Sequence, residues 1–130
     1  MPEIEKLIEL ARHKHQIDLK RGIKKYMDTK WLLDEIKEEV DEIRKEIKEK
    51  NRPLLEDELG DILWSLFILM AKLENEKYIE SFDKVFKRAL NKYTQRITPL
   101  KGEKEDDRRW QEIKEKQKRA LQEELKTLKG

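Results

Sequence analysis

Two acidic stretches carry the spacing best suited to chemistry: Glu38-Glu39-Val40-Asp41-Glu42 and Glu58-Leu59-Gly60-Asp61. Within each, the acids Glu39/Glu42 and Glu58/Asp61 stand three residues apart, which places them on one face of a helix. Positions 42 and 58 are equally distant from 50, and so are 39 and 61. If the chain doubles back near residue 50 or 51, Glu42 falls beside Glu58 and Glu39 beside Asp61. Four carboxylates then converge, and like charges that close repel unless they are protonated or neutralised. A hard divalent cation with oxygen ligands is the natural neutraliser. Mg²⁺ keeps several waters beside its carboxylates, which leaves room for phosphate oxygens. Taken singly, the first stretch would be a solvated acidic face and the second a set of acids complementing a helix N-terminus. The mirrored spacing, with Asp61 adjoining an apolar run, is what favours a metal site.

The elements that must position these residues are helices. No strand pattern occurs, and with Gly 4 and Pro 3 the chain reads as long helices joined by short connections. A first helix is expected over about 3–21, with Ile4, Leu7, Ile8, Ala11 and His15 near one face and Gly22 closing or kinking it. Asp28 or Thr29 caps a second, whose Leu33, Ile36, Val40, Ile43 and Ile47 form one apolar stripe. Asn51-Arg52-Pro53 is the turn, and Pro53 suits the first position of a third helix over about 54–74. That helix is apolar nearly all round from Leu59 to Leu73, which predicts burial. Gly60 inside it costs roughly 1 kcal/mol of helix propensity, which suggests close approach of the second helix or of a phosphate. A fourth helix spans about 78–96, residues 98–102 form a loop, and an amphipathic stretch with Trp110, Ile113, Leu121, Leu125 and Leu128, frayed at its ends, follows. The fold class is therefore an all-α, four-helix-bundle-type arrangement with an additional C-terminal helix. We divide it as a helical domain over 1–100 and a C-terminal helix over 101–130 that packs on the domain or on a partner subunit.

At the acidic stretches the chain resembles the MazG family of nucleoside triphosphate pyrophosphohydrolases, whose pattern is Glu-Glu-x-x-Glu on one helix and Glu-x-x-Asp on the next. The resemblance implies Mg²⁺, with Mn²⁺ as an alternative, held by Glu39, Glu42, Glu58 and Asp61. It makes Glu38 an acid that holds a further metal or orients the attacking water, and either Glu38 or Glu39 the acceptor of that water's proton. Lys92 and Arg96 match a basic pair that the family uses on substrate phosphates. Trp110-Gln111-Glu112-Ile113-Lys114 matches its Trp-x-x-Ile-Lys segment, with Trp110 near the base and Lys114 near phosphates. The implied reaction is hydrolysis between the α and β phosphates to the monophosphate and pyrophosphate, a house-cleaning of nucleotide pools. Where members most like the bacterial housekeeping enzyme carry His-Pro-His-Val-Phe, this chain has Ile97-Thr98-Pro99-Leu100. It also lacks their N-terminal Cys-Pro-Trp-Asp, so base and sugar preference stay open, with dUTP, dCTP and phosphoribosyl-ATP as narrower substrates.

Composition limits the other classes. Lys+Arg 31 against Asp+Glu 29 nearly cancel, although 46% of residues are charged, which argues against a dedicated nucleic-acid partner. No apolar run reaches the roughly 20 residues of a membrane span. With no Cys and no signal peptide, the expected location is the cytoplasm. At 36% hydrophobic residues the core is thin, so a second copy is expected to cover the third helix, giving a homodimer or a tetramer built as a dimer of dimers. His13 and His15 do not share a helical face and are expected at the surface or core edge. Trp31 is expected to anchor a helix start, with stacking on a base as the alternative, and Trp64 to face a subunit interface. The reading from a different class is a non-catalytic helical dimerisation or adaptor module.

Overall fold

The computed structural model describes residues 2–130, with six helices and no strand among them. In chain order these are α1 (Pro2–Arg21), α2 (Lys24–Met27), α3 (Thr29–Glu46), α4 (Arg52–Asn75), α5 (Phe82–Ile97) and α6 (Asp106–Lys129). The chain divides into two units, Met1–Phe82 and Asp83–Gly130.

In the first unit each boundary has a local cause. Acids in the first turn of α1 and Lys20 and Arg21 in its last complement the helix dipole. Gly22, at φ +67°, ends it by donating its N–H to the Asp18 and Leu19 carbonyls at 3.0 and 3.2 Å. Residues 24–27, expected as a connection, form the single turn α2. The Asp28 carboxylate caps α3, accepting from the Lys30 N–H at 3.1 Å. Between α3 and α4, Lys50 takes positive φ, and Asn51 Nδ2 donates to the Glu46 carbonyl at 2.7 Å and to its carboxylate at 2.6 Å. Pro53 then sits in the opening turn of α4, where its missing N–H costs nothing. The chain doubles back where the acidic spacing requires.

Both α1 and α3 pack on α4, whose C-terminal half supplies most of the core: Phe67, Ile68, Leu69, Met70 and Ala71, joined by Ala11, Leu32 and Phe82. The stretch of α4 before Phe67 departs from expectation. Leu59 is 48% exposed and Leu66 43%, so the helix is not buried all round within one chain. Two packed neighbours cover one side of it, and its other apolar side faces outward. A Cβ placed on Gly60 would meet nothing within 4 Å, so no close approach of α3 explains that glycine.

The fourth major helix begins at Phe82 rather than near 78. Tyr78 and Ile79 turn their N–H groups back to the Leu73 carbonyl, at 2.9 and 3.3 Å, and close α4. The Glu74 carboxylate accepts the Phe82 N–H at 3.1 Å and a forked pair from Arg12 at 2.8 and 2.9 Å. Arg12 holds this carboxyl below its ordinary pKa. Phe82, 1% exposed, meets Phe67 edge to face at 5.7 Å, with the Arg12 guanidinium 5.1 Å above its ring.

In the second unit the Asp106 carboxylate gathers the N–H groups of Lys101, Gly102 and Glu103 at 3.1, 2.7 and 3.1 Å, which ties down the start of α6. These bonds, led by that from Lys101 and joined by Arg109, lower its pKa to about 2. The helix runs unbroken from Asp106 to Lys129. Arg88 of α5 forks onto Glu124 of α6.

Phe82 has the largest single stake in the first unit's core. Phe82→Ala is expected to lower unfolding free energy by about 3–5 kcal/mol, measured by urea denaturation. A change below 1 kcal/mol would mean that the ring is not packed as described.

Candidate metal centre and adjoining cavity

The fold-back of α3 on α4 brings together Glu39, Glu58 and Asp61. One carboxylate oxygen from each lies within 4.8 Å of the others. Glu39 and Glu58 are half-buried and Asp61 is exposed. Glu39 responds with a pKa raised to about 6, first through burial, then through the charge of Asp61 and a hydrogen bond and charge from Glu58. Glu42, expected beside them, is outside this group. Its Oε1 accepts from Lys45 Nζ at 3.1 Å, a cation one turn along its own helix. Glu38 is exposed on α3.

The trio offers oxygen alone, with no imidazole or thiolate, which fits a hard divalent cation such as Mg²⁺ or Mn²⁺. Glu39, Glu58 and Asp61 would hold it. The repulsion from Asp61 and Glu58, which adds to burial in raising the Glu39 pKa, is what such a cation relieves.

A cavity of about 260 Å³ adjoins the trio and includes Glu39 and Asp61 in its lining. Tyr26, Trp31 and Trp64 bring their rings to it from α2, α3 and α4. Tyr26 and Trp31 meet edge to face at 5.2 Å. From α1 come Lys14 and Asp18, whose Nζ and Oδ1 pair at 2.5 Å. The Asp18 carboxylate is 2% exposed. Neither tryptophan keeps only the role its sequence position suggests. Trp31 opens α3 and also lines the cavity, and Trp64 is half-buried there. Sequence reasoning missed Asp18, although a signal existed: the stripe of α1 through Ala11 and His15 continues at the same spacing onto position 18. His15 is likewise buried rather than at the edge, with no hydrogen-bond partner at Nε2. Burial lowers its pKa.

The remaining expected site residues lie in the second unit. Arg96, 7% exposed, donates Nε to Gln117 Oε1 at 2.8 Å and spreads over the Tyr93 and Trp110 rings at 5.5 and 5.2 Å. Lys92 rests its ammonium 5.6 Å from the Tyr93 ring and accepts from Gln117 Nε2 at its carbonyl. Arg96 and Trp110 are thus brought together, while Lys114 is exposed along α6.

With this geometry in place, comparison with protein families is decisive. The model of the MazG nucleotide pyrophosphohydrolase domain matches residues 27–99, more than half of the chain. The chain belongs to the MazG family. The MazG match opens at the cap of α3, takes in the whole α3–α4 hairpin with its three gathered acids, and runs through α5. In this MazG protein α1, with Lys14 and Asp18, precedes the matched region, and α6 follows it. No curated protein and no solved structure matches the chain. Among the described residues no helix is long and apolar enough to cross a membrane.

The raised Glu39 pKa has a calculable sign. The fold holds this proton more tightly than the unfolded chain does, so the metal-free protein loses stability as pH rises from about 4.5 through about 6. A cation competes with the proton, so Mg²⁺ should raise the melting temperature more at pH 7 than at pH 5. Equal shifts at both pH values, or none, would count against the trio as the binding site.

Proposed function

We propose that the protein is an Mg²⁺-dependent nucleoside triphosphate pyrophosphohydrolase that cleaves between the α and β phosphates and serves to clean nucleotide pools. The observation that carries this reading is the trio Glu39, Glu58 and Asp61 set against an aromatic-walled cavity, within the segment that matches the MazG domain. A bound Mg²⁺ or Mn²⁺ would supply positive charge to phosphate oxygens and make a bound water more acidic.

The chain's own residues have the following parts. Glu58 and Asp61 anchor the cation from α4, and Glu39 does so from α3. Glu42 joins them by leaving Lys45. Glu38, or Glu39 itself, accepts the proton of the attacking water. This class of transfer needs positioning and charge neutralisation more than covalent help, and a cluster of fixed acids beside a cavity suits it. The resemblance adds phosphate contacts for Lys92, Arg96 and Lys114 and a base contact for Trp110. In their own unit Arg96 and Trp110 are already engaged with one another, so those two roles require that contact to loosen.

A second copy covering the outward leucines of α4, as a homodimer or a dimer of dimers, belongs to the same proposal and is supported by their exposure. A dimerisation or adaptor module would account for those leucines and for exposed Leu121, Leu125 and Leu128 on α6, but not for the gathered acids.

The test is pyrophosphate release from a panel of nucleoside triphosphates, dUTP and dCTP included, together with phosphoribosyl-ATP. Turnover is expected with Mg²⁺ and not with chelator. Glu58→Gln or Asp61→Asn should lower kcat/KM by about a hundredfold or more, the scale of losing one fixed electrostatic contact to developing charge. No turnover on any of them would leave the adaptor reading standing.

A further inference from the structure

The cavity lining includes two residues of α1: Asp18, a carboxylate 2% exposed, and its partner Lys14, which is 39% exposed. Burying a carboxylate on the packed stripe of a helix is costly, and a single flexible ammonium offsets only part of that cost. A buried acceptor in the wall of a cavity lined by aromatic residues suits recognition of a flat heterocycle. Tyr26, Trp31 and Trp64 line the cavity, with Lys14 and Lys25 resting 5.1 and 5.5 Å from the Tyr26 ring and Lys25 5.3 Å from the Trp31 ring, and stacking among such side chains accepts any base. Choice among bases must then come from polar groups that meet the ring edge, and a fixed, desolvated group discriminates most strongly. The volume of about 260 Å³ is small for a ligand site and suits a base rather than a whole nucleotide, and Glu39 and Asp61 on the same lining put the acidic trio next to it.

We propose that Asp18 and Lys14 select a guanine-type base, the carboxylate accepting from the ring N1–H and the exocyclic amino group while the ammonium donates to O6. This rests on the pyrophosphohydrolase reading above and names its substrate class. The pairing follows from the order of groups. An acceptor pair beside one donor complements two adjacent donors beside one acceptor, which is the guanine edge. Uracil and thymine flank a single N–H with two carbonyls, so one carbonyl oxygen faces the carboxylate. Cytosine and adenine offer one amino group and leave the second carboxylate oxygen without a donor. A mismatched edge of this kind costs on the order of tenfold to a hundredfold in discrimination.

The experiment measures kcat/KM of the full chain with Mg²⁺ for GTP, ATP, CTP, UTP and XTP. GTP is expected to lead UTP by at least about tenfold. Asp18→Asn replaces one acceptor with an amide donor, which fits the C2 carbonyl of xanthine. The variant should therefore lose about tenfold or more on GTP and gain on XTP. A merely structural Asp18 would lower all five substrates together, and that result, or UTP equal to GTP in the unaltered protein, overturns the proposal. If the variant fails to fold by circular dichroism, quenching of tryptophan fluorescence by GMP and UMP in the unaltered protein decides. Tighter GMP binding upholds the assignment and equal affinity overturns it. Monophosphate binding needs no turnover, so guanine preference without hydrolysis would sink the catalytic reading alone, and hydrolysis without guanine preference would sink the base assignment alone.

Discussion

Like charge forced together is the constraint on which the first unit is organised. Glu39, Glu58 and Asp61 have every electrostatic reason to separate, yet the hairpin fixes the backbones that carry them. Its tip is closed by hydrogen bonds from Asn51 to Glu46, and its stem is held by α1 lying on α4. Glu39 keeps its proton to a higher pH than a free carboxyl does, and Glu42 pairs with Lys45 on its own helix. A scaffold that keeps mutually repelling groups in place is preorganised for whatever positive charge arrives, because the cost of gathering them is met in folding.

The helical fold and the hairpin were legible in the sequence for a simple reason: both are local. Stripe periodicity marks the helices, Asp28 and Pro53 mark their starts, and the mirrored offsets of 39 and 61 about residue 50 follow from counting along the chain. What lay beyond reach depends on how helices are set against each other. The cavity exists because α1, α2, α3 and α4 each contribute a wall, and no count of residues gives the angle at which α1 meets α4. For the same reason Trp64 read as an interface residue and Trp31 first as an anchor and only second as a stacking residue, although both line the cavity. The apolar run from Leu59 implied burial on every side, whereas packing by two neighbours covers only one of them. Local competition also hid details, since Lys45 and Glu58 both lie within plausible reach of Glu42 and the sequence ranks neither.

Buried polar groups divide by whether a partner explains them. Arg96 is enclosed by two aromatic rings and Gln117, and Lys72 by the Glu76 carboxylate, so their burial is satisfied within the fold. Asp18 is different because its one recorded partner, Lys14, is itself partly in solvent and stands at the wall of a cavity. The segment that matches the MazG domain begins after both of them, so the acids of the hairpin and this pair on the cavity lining come from separate stretches of chain.

Asp106 and Glu39 are carboxylates displaced in opposite directions, to about 2 and about 6, and they sit in different units. On acidification Glu39 is neutralised early, which relaxes the crowding in the hairpin. Asp106 keeps its charge, and with it the three backbone donors at residues 101–103, until the medium is far more acidic. Acid therefore eases an internal tension in the first unit well before it unfastens the clasp in the second.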